Sequence, residues 1–318
     1  MKNVSKFLVT ASLIGMSNIS YSAENGGSTG AAAFGLDGMS NFYLPQPGAP
    51  WLVNYTGIYN STRINGPDGK DAAPNTKLHS EYNVFALKYL PDTGILGSTW
   101  TAFEIFPTLV RTTVTNGSNS STNSGFADLA IDPFGLAWKV GNANVGFGTT
   151  FTAPTGEYDR RSDVNLGNNH WSWNPQFYYN WFDPQGRGDI SVHASYELNF
   201  KNRQGLVTYF NPTGASYTSG QMVHLEVASA YNATQKLSLA ASVVGSYQFT
   251  DDKVDDEQAD QFVKNQLDGN RYESIRLGLS ARYLFLNSIP VNLTYTHDTY
   301  GRNKAMGDAL VLRIVKEL

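Results

Sequence analysis

The chain has 318 residues with no cysteine, 16% charged and 13% aromatic residues, 30 glycines and a formal net charge of -4. This excludes a disulfide-stapled scaffold and thiol chemistry, and outside the N-terminus no run of about 18 apolar residues exists to cross a membrane as a helix. Scarce charge with abundant Tyr and Phe points to β structure with aromatic surfaces, and the acidic balance argues against nucleic acid as a partner.

Residues 1–23 read as a secretory leader, with Lys2 and Lys6 as the positive start and a short apolar run over 7–16. Cleavage is expected near Ser22 to Glu24, and loss of the two lysines moves the formal charge from -4 to -6. Residues 24–50 follow with Gly26, Gly27, Gly30, Gly35, Gly38 and Gly48 among Pro45, Pro47 and Pro50, and show no strand alternation before Trp51.

From Trp51 onward, apolar and polar side chains alternate with period two. The rule is cleanest late in the chain. Over 237–249, Leu237, Leu239, Ala241, Val243, Tyr247 and Phe249 oppose Ser238, Ser242, Ser246 and Gln248. Over 190–200, Ile190, Val192, Tyr196, Leu198 and Phe200 oppose Ser191, His193, Ser195, Glu197 and Asn199. Strands are expected at roughly 51–61, 80–90, 98–113, 125–139, 144–154, 170–182, 189–201, 220–232, 236–250, 273–286, 289–298 and 308–318.

The connections alternate in length, short at 91–97, 140–143, 183–188, 233–235 and 287–288, and long at 62–79, 114–124, 155–169, 202–219, 251–272 and 299–307. That is the rhythm of an all-β, transmembrane, antiparallel up-and-down barrel over 51–318 in the bacterial outer membrane, with about twelve strands and both termini on the periplasmic side. Apolar faces would meet outer-membrane lipid, and residues such as Trp171, Trp173, Trp181, Tyr247 and Tyr283 would form the interfacial girdles. A soluble sandwich is disfavoured, because its strands are typically about 5–6 residues long. The segment 24–50 would then plug the lumen, with Phe42, Tyr43 and Leu44 as an apolar gate; a disordered periplasmic lead is the alternative.

Three segments carry a family resemblance: Gly125-Phe126-Ala127-Asp128-Leu129, Ala153-Pro154-Thr155-Gly156-Glu157-Tyr158-Asp159, and Asn165-Leu166-Gly167-Asn168-Asn169-His170-Trp171. With Tyr196-Glu197-Leu198-Asn199, His297-Asp298 and Gly307-Asp308-Ala309, they resemble the outer-membrane proteins of the MetA-pathway of phenol degradation family over roughly 50–318. The resemblance implies a barrel that passes hydrophobic or aromatic compounds. The chain departs from the family pattern at His170, where an aromatic residue is usual, and at its end, where Lys316 interrupts the apolar set Leu310, Leu312, Ile314 and Leu318. That last strand still reads as a signal to the barrel assembly machinery.

If apolar faces meet lipid, the lumen is lined by Lys88, Glu104, Asp128, His193, Glu197, His224, Glu226, Arg276, Arg282 and Arg313. The arginines would form one wall facing an acidic one and orient a dipolar solute, or the charges would pair and hold a narrow lumen rigid. Tyr158, Arg160, Arg161 and Trp171 would make a site where an aromatic solute enters, by stacking and cation–π contact, unless 155–169 is an ordinary loop turning at Pro154 and Gly156.

His193-Ala194-Ser195 resembles the H-x-S of outer-membrane lipid hydrolases, but both side chains fall on the lumenal face with no oriented base, so no catalytic residue is expected. The acidic run over 251–257 lacks the glycine and terminal glutamate of a calcium loop and reads as a solvated loop with a short helix over 255–267; no metal or cofactor is expected. The reading is a passive channel for small hydrophobic or aromatic compounds. The alternative is a non-conducting structural or adhesive barrel working through its external loops.

Overall fold

The computed structural model describes residues 48–92, 94–286 and 289–318. The leader and 24–47, with Phe42, Tyr43 and Leu44, lie outside them. In chain order the strands are β1 (Pro50–Asn65), β2 (Thr76–Tyr89), β3 (Trp100–Phe106), β4 (Thr108–Asn116), β5 (Asn119–Phe126), β6 (Leu129–Val140), β7 (Ala143–Ala153), β8 (Ser172–Phe182), β9 (Gly188–Asn199), β10 (Tyr217–Thr218), β11 (Met222–Asn232), β12 (Leu237–Gln248), β13 (Lys253–Val254), β14 (Glu273–Phe285), β15 (Ile289–Arg302) and β16 (Lys304–Glu317). One helix, α1, spans Glu257–Gln266.

These close into a twelve-stranded antiparallel barrel, because β1 pairs with both β16 and β2. The β1–β16 ladder leaves the first and last wall strands without a free edge, as hydrocarbon requires. Two of the twelve wall strands are built in halves. Pro107 separates β3 from β4, since proline cannot donate to a ladder, although its carbonyl still accepts from the Phe85 amide at 3.0 Å. Ala127 and Asp128 separate β5 from β6.

Burial along the strands is inverted relative to a soluble protein. In β11, His224, Glu226 and Ala228 are buried while Val223, Leu225 and Val227 are exposed. Leu239 and Val243 of β12, Leu277 and Leu279 of β14, and Leu310 and Leu312 of β16 continue the outer apolar belt. Aromatic residues edge it: Trp173 stacks on Phe151 at 6.2 Å near one rim, and Tyr89, Tyr231 and Tyr283 are exposed near the other. The belt accounts for an outer-membrane barrel.

The short turns and both described chain ends share one rim, where the Leu318 amide donates to the Pro50 carbonyl at 3.0 Å. At the opposite, external rim two expected loops are hairpins instead. Over 114–124, β4 and β5 run on to a turn at Gly117, whose φ of 60° suits glycine. Over 299–307, β15 and β16 meet around the single residue Asn303. Both faces of β5 are polar, so its alternation carries no apolar signal; its pairing rests on the ladder and on hydroxyl contacts such as Thr113 with Thr122 at 2.8 Å.

Loops 200–221 and 249–272 form a folded external layer. The β10–β13 ladder and α1 enclose Tyr217, Val254, Ala259 and Val263. Asp256 caps α1 by accepting from the Ala259 amide at 2.9 Å, and the helix falls within the expected 255–267. The rest of the acidic run is spent on neighbours: Asp251 on Arg271 at 2.7 Å and Asp255 on Lys201 at 2.8 Å.

Candidate functional site: the barrel lumen

The inner surface divides into a polar wall and an apolar one. The polar wall is built by β8, β9, β11 and β12, where alternation sends Gln176, His193, Glu197 and His224 inward, all buried. His193 Nε2 donates to Gln176 Oε1 at 2.7 Å, and its ring stacks on Tyr178 at 4.4 Å. Glu197 accepts from His224 Nε2 at 3.1 Å and from Asn199 Nδ2 at 3.0 Å, while His224 Nδ1 meets Ser246 Oγ at 2.8 Å. Glu226 faces His193 across the β9–β11 register. Ser195 lies on this inner face with His193, as alternation requires. Ser172 Oγ, Ser191 Oγ and both side-chain atoms of Asn174 are buried without a hydrogen-bond partner among the described residues.

Three inward cations meet carboxylates on nearby strands. Arg276 Nε and Lys304 Nζ lie 3.1 and 2.6 Å from Asp298 Oδ1, and Lys88 Nζ lies 2.7 Å from Glu104. Arg313 sits over the Tyr55 ring at 5.7 Å, and Arg282 donates to Ser238 Oγ at 3.1 Å. Much of the charge that a transverse field would need is therefore compensated locally.

The apolar wall was not legible under the rule that apolar faces meet lipid. Val53, Tyr55, Tyr82, Ala86, Val110, Val311 and Val315, from β1, β2, β4 and β16, are buried in one inner cluster. The outer side of the same β1–β2 seam carries polar residues. Asn54 Nδ2 donates to Asn83 Oδ1 at 2.8 Å, Asn83 Nδ2 to Thr56 Oγ1 at 2.6 Å, and Thr56 Oγ1 to Asn54 Oδ1 at 3.1 Å. Gly57 marks the inversion, because a Cβ there would lie 2.3 Å from the Tyr82 ring, which fills the inner space beside it.

The segments that carry the family resemblance converge on one clasp. The Asp128 carboxylate accepts from the Gly156 amide at 2.8 Å and from the Asn168 amide at 2.7 Å. Gly156 and Gly167 cross so closely that a Cβ on either would meet backbone at 2.8 Å. The clasp holds loop 154–171 so that Leu166 joins the inner apolar cluster and Val164 packs on Leu78 and Val114. Among the described residues β5 pairs with a strand only on its β4 side; near its other edge, Asn123 Nδ2 donates to the Val164 carbonyl at 3.2 Å.

The residues expected to admit an aromatic solute are dispersed. Tyr158 OH donates to the Gln204 carbonyl at 2.7 Å and the Arg160 carbonyl accepts from the Val207 amide at 2.8 Å, which ties both to loop 200–221. Trp171 instead stands half exposed at the outer end of β8. His170 is buried, with Nδ1 donating to the Trp171 carbonyl at 3.0 Å.

The fold is similar to that of an outer membrane channel from Pseudomonas putida F1, with TM-score 0.76 and 18% identity over 88% of this chain and 98% of that one. It is also similar to the beta domain of a Bordetella autotransporter, with TM-score 0.52 and 8% identity over 86% of this chain and 100% of that one. No curated protein matches the sequence. Residues 61–314 match the family of the MetA-pathway of phenol degradation. This chain, an outer-membrane barrel of channel-like fold, belongs to that family.

Proposed function

We propose that the barrel is a passive conduit for small hydrophobic or aromatic compounds, driven only by their concentration gradient. The observation that carries this is the inner apolar cluster of Val53, Tyr55, Tyr82, Val110, Val311 and Val315. A pore for water and ions gains nothing from such a wall, whereas a solute with an apolar body transfers favourably onto it, by about 25 cal/mol per Å² covered. At the external rim, the β5 edge is covered by loop 154–171 rather than by a ladder. A gate formed by 24–50 through Phe42 and Tyr43 would complete the device.

The deciding experiment is uptake of radiolabelled toluene by cells with and without the gene. Slower uptake in the deletion, restored by the wild-type gene, is expected. Unchanged uptake together with a silent planar bilayer would sink the conduit. The folded external layer with its own core would then favour a barrel that works through its surface.

A further inference from the structure

The outer surface changes character where β16, β1, β2 and β4 approach the external rim. Elsewhere that edge of the apolar belt is aromatic: Trp171 and Trp173 at β8, Tyr247 and Phe249 at β12, and Tyr300 on β15 are exposed. On β16, β1, β2 and β4 the register sets polar and charged side chains there instead. Ile58 of β1, exposed at the edge of the belt, stands beside Glu81 of β2, and Glu81 faces Arg111 of β4. One pleat further out, Asp308, Asn60, His79 and Thr113 are successive partners on the four strands. Lys77 follows on β2, and Arg63 sits at the bulge of β1; both are exposed.

The acids of these strand faces already have partners. Asp308 Oδ1 lies 2.5 Å from Tyr295 OH and 2.8 Å from His297 Nδ1. Glu81 Oε1 lies 3.5 Å from His79 Nε2, and His79 Nδ1 donates to Asn60 Oδ1 at 2.6 Å. Arg63, Lys77 and Arg111 have no ion-pair partner among the described residues. Lys77 and Glu81, the residue that Arg111 faces, are two pleats apart on β2 with His79 between them. That is about 13 Å along the ladder, a span over which two long cationic side chains reach one anionic headgroup from both sides. Toward the bilayer centre the surface turns apolar again: Leu109 and Phe126 are exposed partners on β4 and β5, and Leu312 flanks Thr56.

We propose that this outer face binds a phosphorylated glycolipid of the outer leaflet, with Arg63, Lys77 and Arg111 on its phosphates and Leu109, Phe126 and Leu312 against its acyl chains. Guanidinium and ammonium groups at headgroup level match phosphate oxygens through charge-assisted hydrogen bonds. A second copy of the chain fits this face less well, because a twofold contact would bring the same cations together while Glu81 and Asp308 are already bonded. The site concerns the outer surface and stands apart from the conduit.

Native mass spectrometry of the full-length barrel, refolded in nonionic detergent so that no native lipid accompanies it, tests the site. The probe is diphosphoryl lipid A, and its dephosphorylated form is the neutral twin. Wild type should carry the probe, and Arg63→Gln with Lys77→Gln and Arg111→Gln should weaken binding roughly tenfold or more. The neutral twin should be held weakly and equally by both. Lys139→Gln with Arg203→Gln and Lys253→Gln removes the same charge from exposed positions off this face and should change nothing. Arg63→Lys with Lys77→Arg and Arg111→Lys should keep the probe, and inorganic phosphate at equal concentration should not displace it. Binding undiminished in the first glutamine triple, equal loss in the second, equal binding of the neutral twin, or displacement by phosphate as effective as by unlabelled lipid A would overturn the site. A dimer that the first triple dissolves, with no probe on wild type, would make the face a contact between copies and overturn it too. Heat-modified gel mobility checks that each variant forms the barrel; should the first triple fail to fold, the neutral twin, the phosphate arm and the charge-keeping triple still decide.

Discussion

Asp128 shows how one side chain can set the position of a whole loop. Its two oxygens accept from amides that are neighbours in space and twelve residues apart in sequence, and the glycines beside them have no room for a methyl group. Gly156→Ala should therefore cost about 1–3 kcal/mol, because the atoms a Cβ meets are backbone and cannot rotate away. The expected readout is protease cleavage within 154–171 on intact cells, with the barrel still formed. A loop as resistant as wild type would show that the clasp is not what holds it. Asp252 makes a second residue-scale case, in the external layer. It accepts from Tyr217 OH, the Gly220 amide, Gln248 and Asn270 at 2.6–2.9 Å, yet burial outweighs these bonds and pushes its carboxyl up to about 7. The folded layer therefore holds a proton that the unfolded chain, with an ordinary carboxyl near 3.8, releases. Stability from this group is present below about pH 4 and is lost as the pH rises toward 7. Proteolysis of 249–272 should be faster at pH 8 than at pH 5, and Asp252→Asn should flatten that difference.

Among the elements, legibility followed the contrast between faces. β11 and β12 could be placed from sequence because one face is apolar and the other is Ser, His and Glu. β5 could not, since Ser, Thr and Asn occupy both of its faces, and the loop expected over 114–124 proved to be a strand hairpin for this reason. β1 was placed correctly as a strand but its faces were assigned by a rule that fails there: Val53 and Tyr55 look like lipid-facing residues, and only pairing with β2 and β16 shows that they point inward. The Asn54, Thr56 and Asn83 ring explains how the outer side tolerates polar groups, since each bonds to the next. Breaking one link should hurt more than removing all three. Asn54→Leu alone should destabilise the barrel by about 1–3 kcal/mol by stripping partners from Thr56 and Asn83, whereas Asn54→Leu with Thr56→Val and Asn83→Leu should recover most of the loss. Urea unfolding in lipid vesicles measures both; equal losses for the single and triple variants would mean the ring does not act as a unit.

For the whole molecule, the inward turn of Glu197, Glu226 and Arg276 was readable, because an ionisable residue on a strand's polar face has nowhere else to go. The apolar wall was not, because it depends on β1, β2 and β4 closing around the same space with β16 from the far end of the sequence. That wall is where the conduit reading is most exposed to test. Val110→Thr, Val311→Thr and Val315→Thr change shape little but place three hydroxyls in the inner cluster, each costing about 1–3 kcal/mol where it lacks a partner. A solute that slides along this wall would lose about 1 kcal/mol or more of apolar contact, so toluene uptake should fall about fivefold or more. The more polar wall should at the same time admit water and raise ion conductance in planar bilayers. Lower uptake with higher conductance is the pattern only an apolar track predicts, since a variant that merely blocked or unfolded the barrel would lower both, and unchanged uptake would remove the wall from the path.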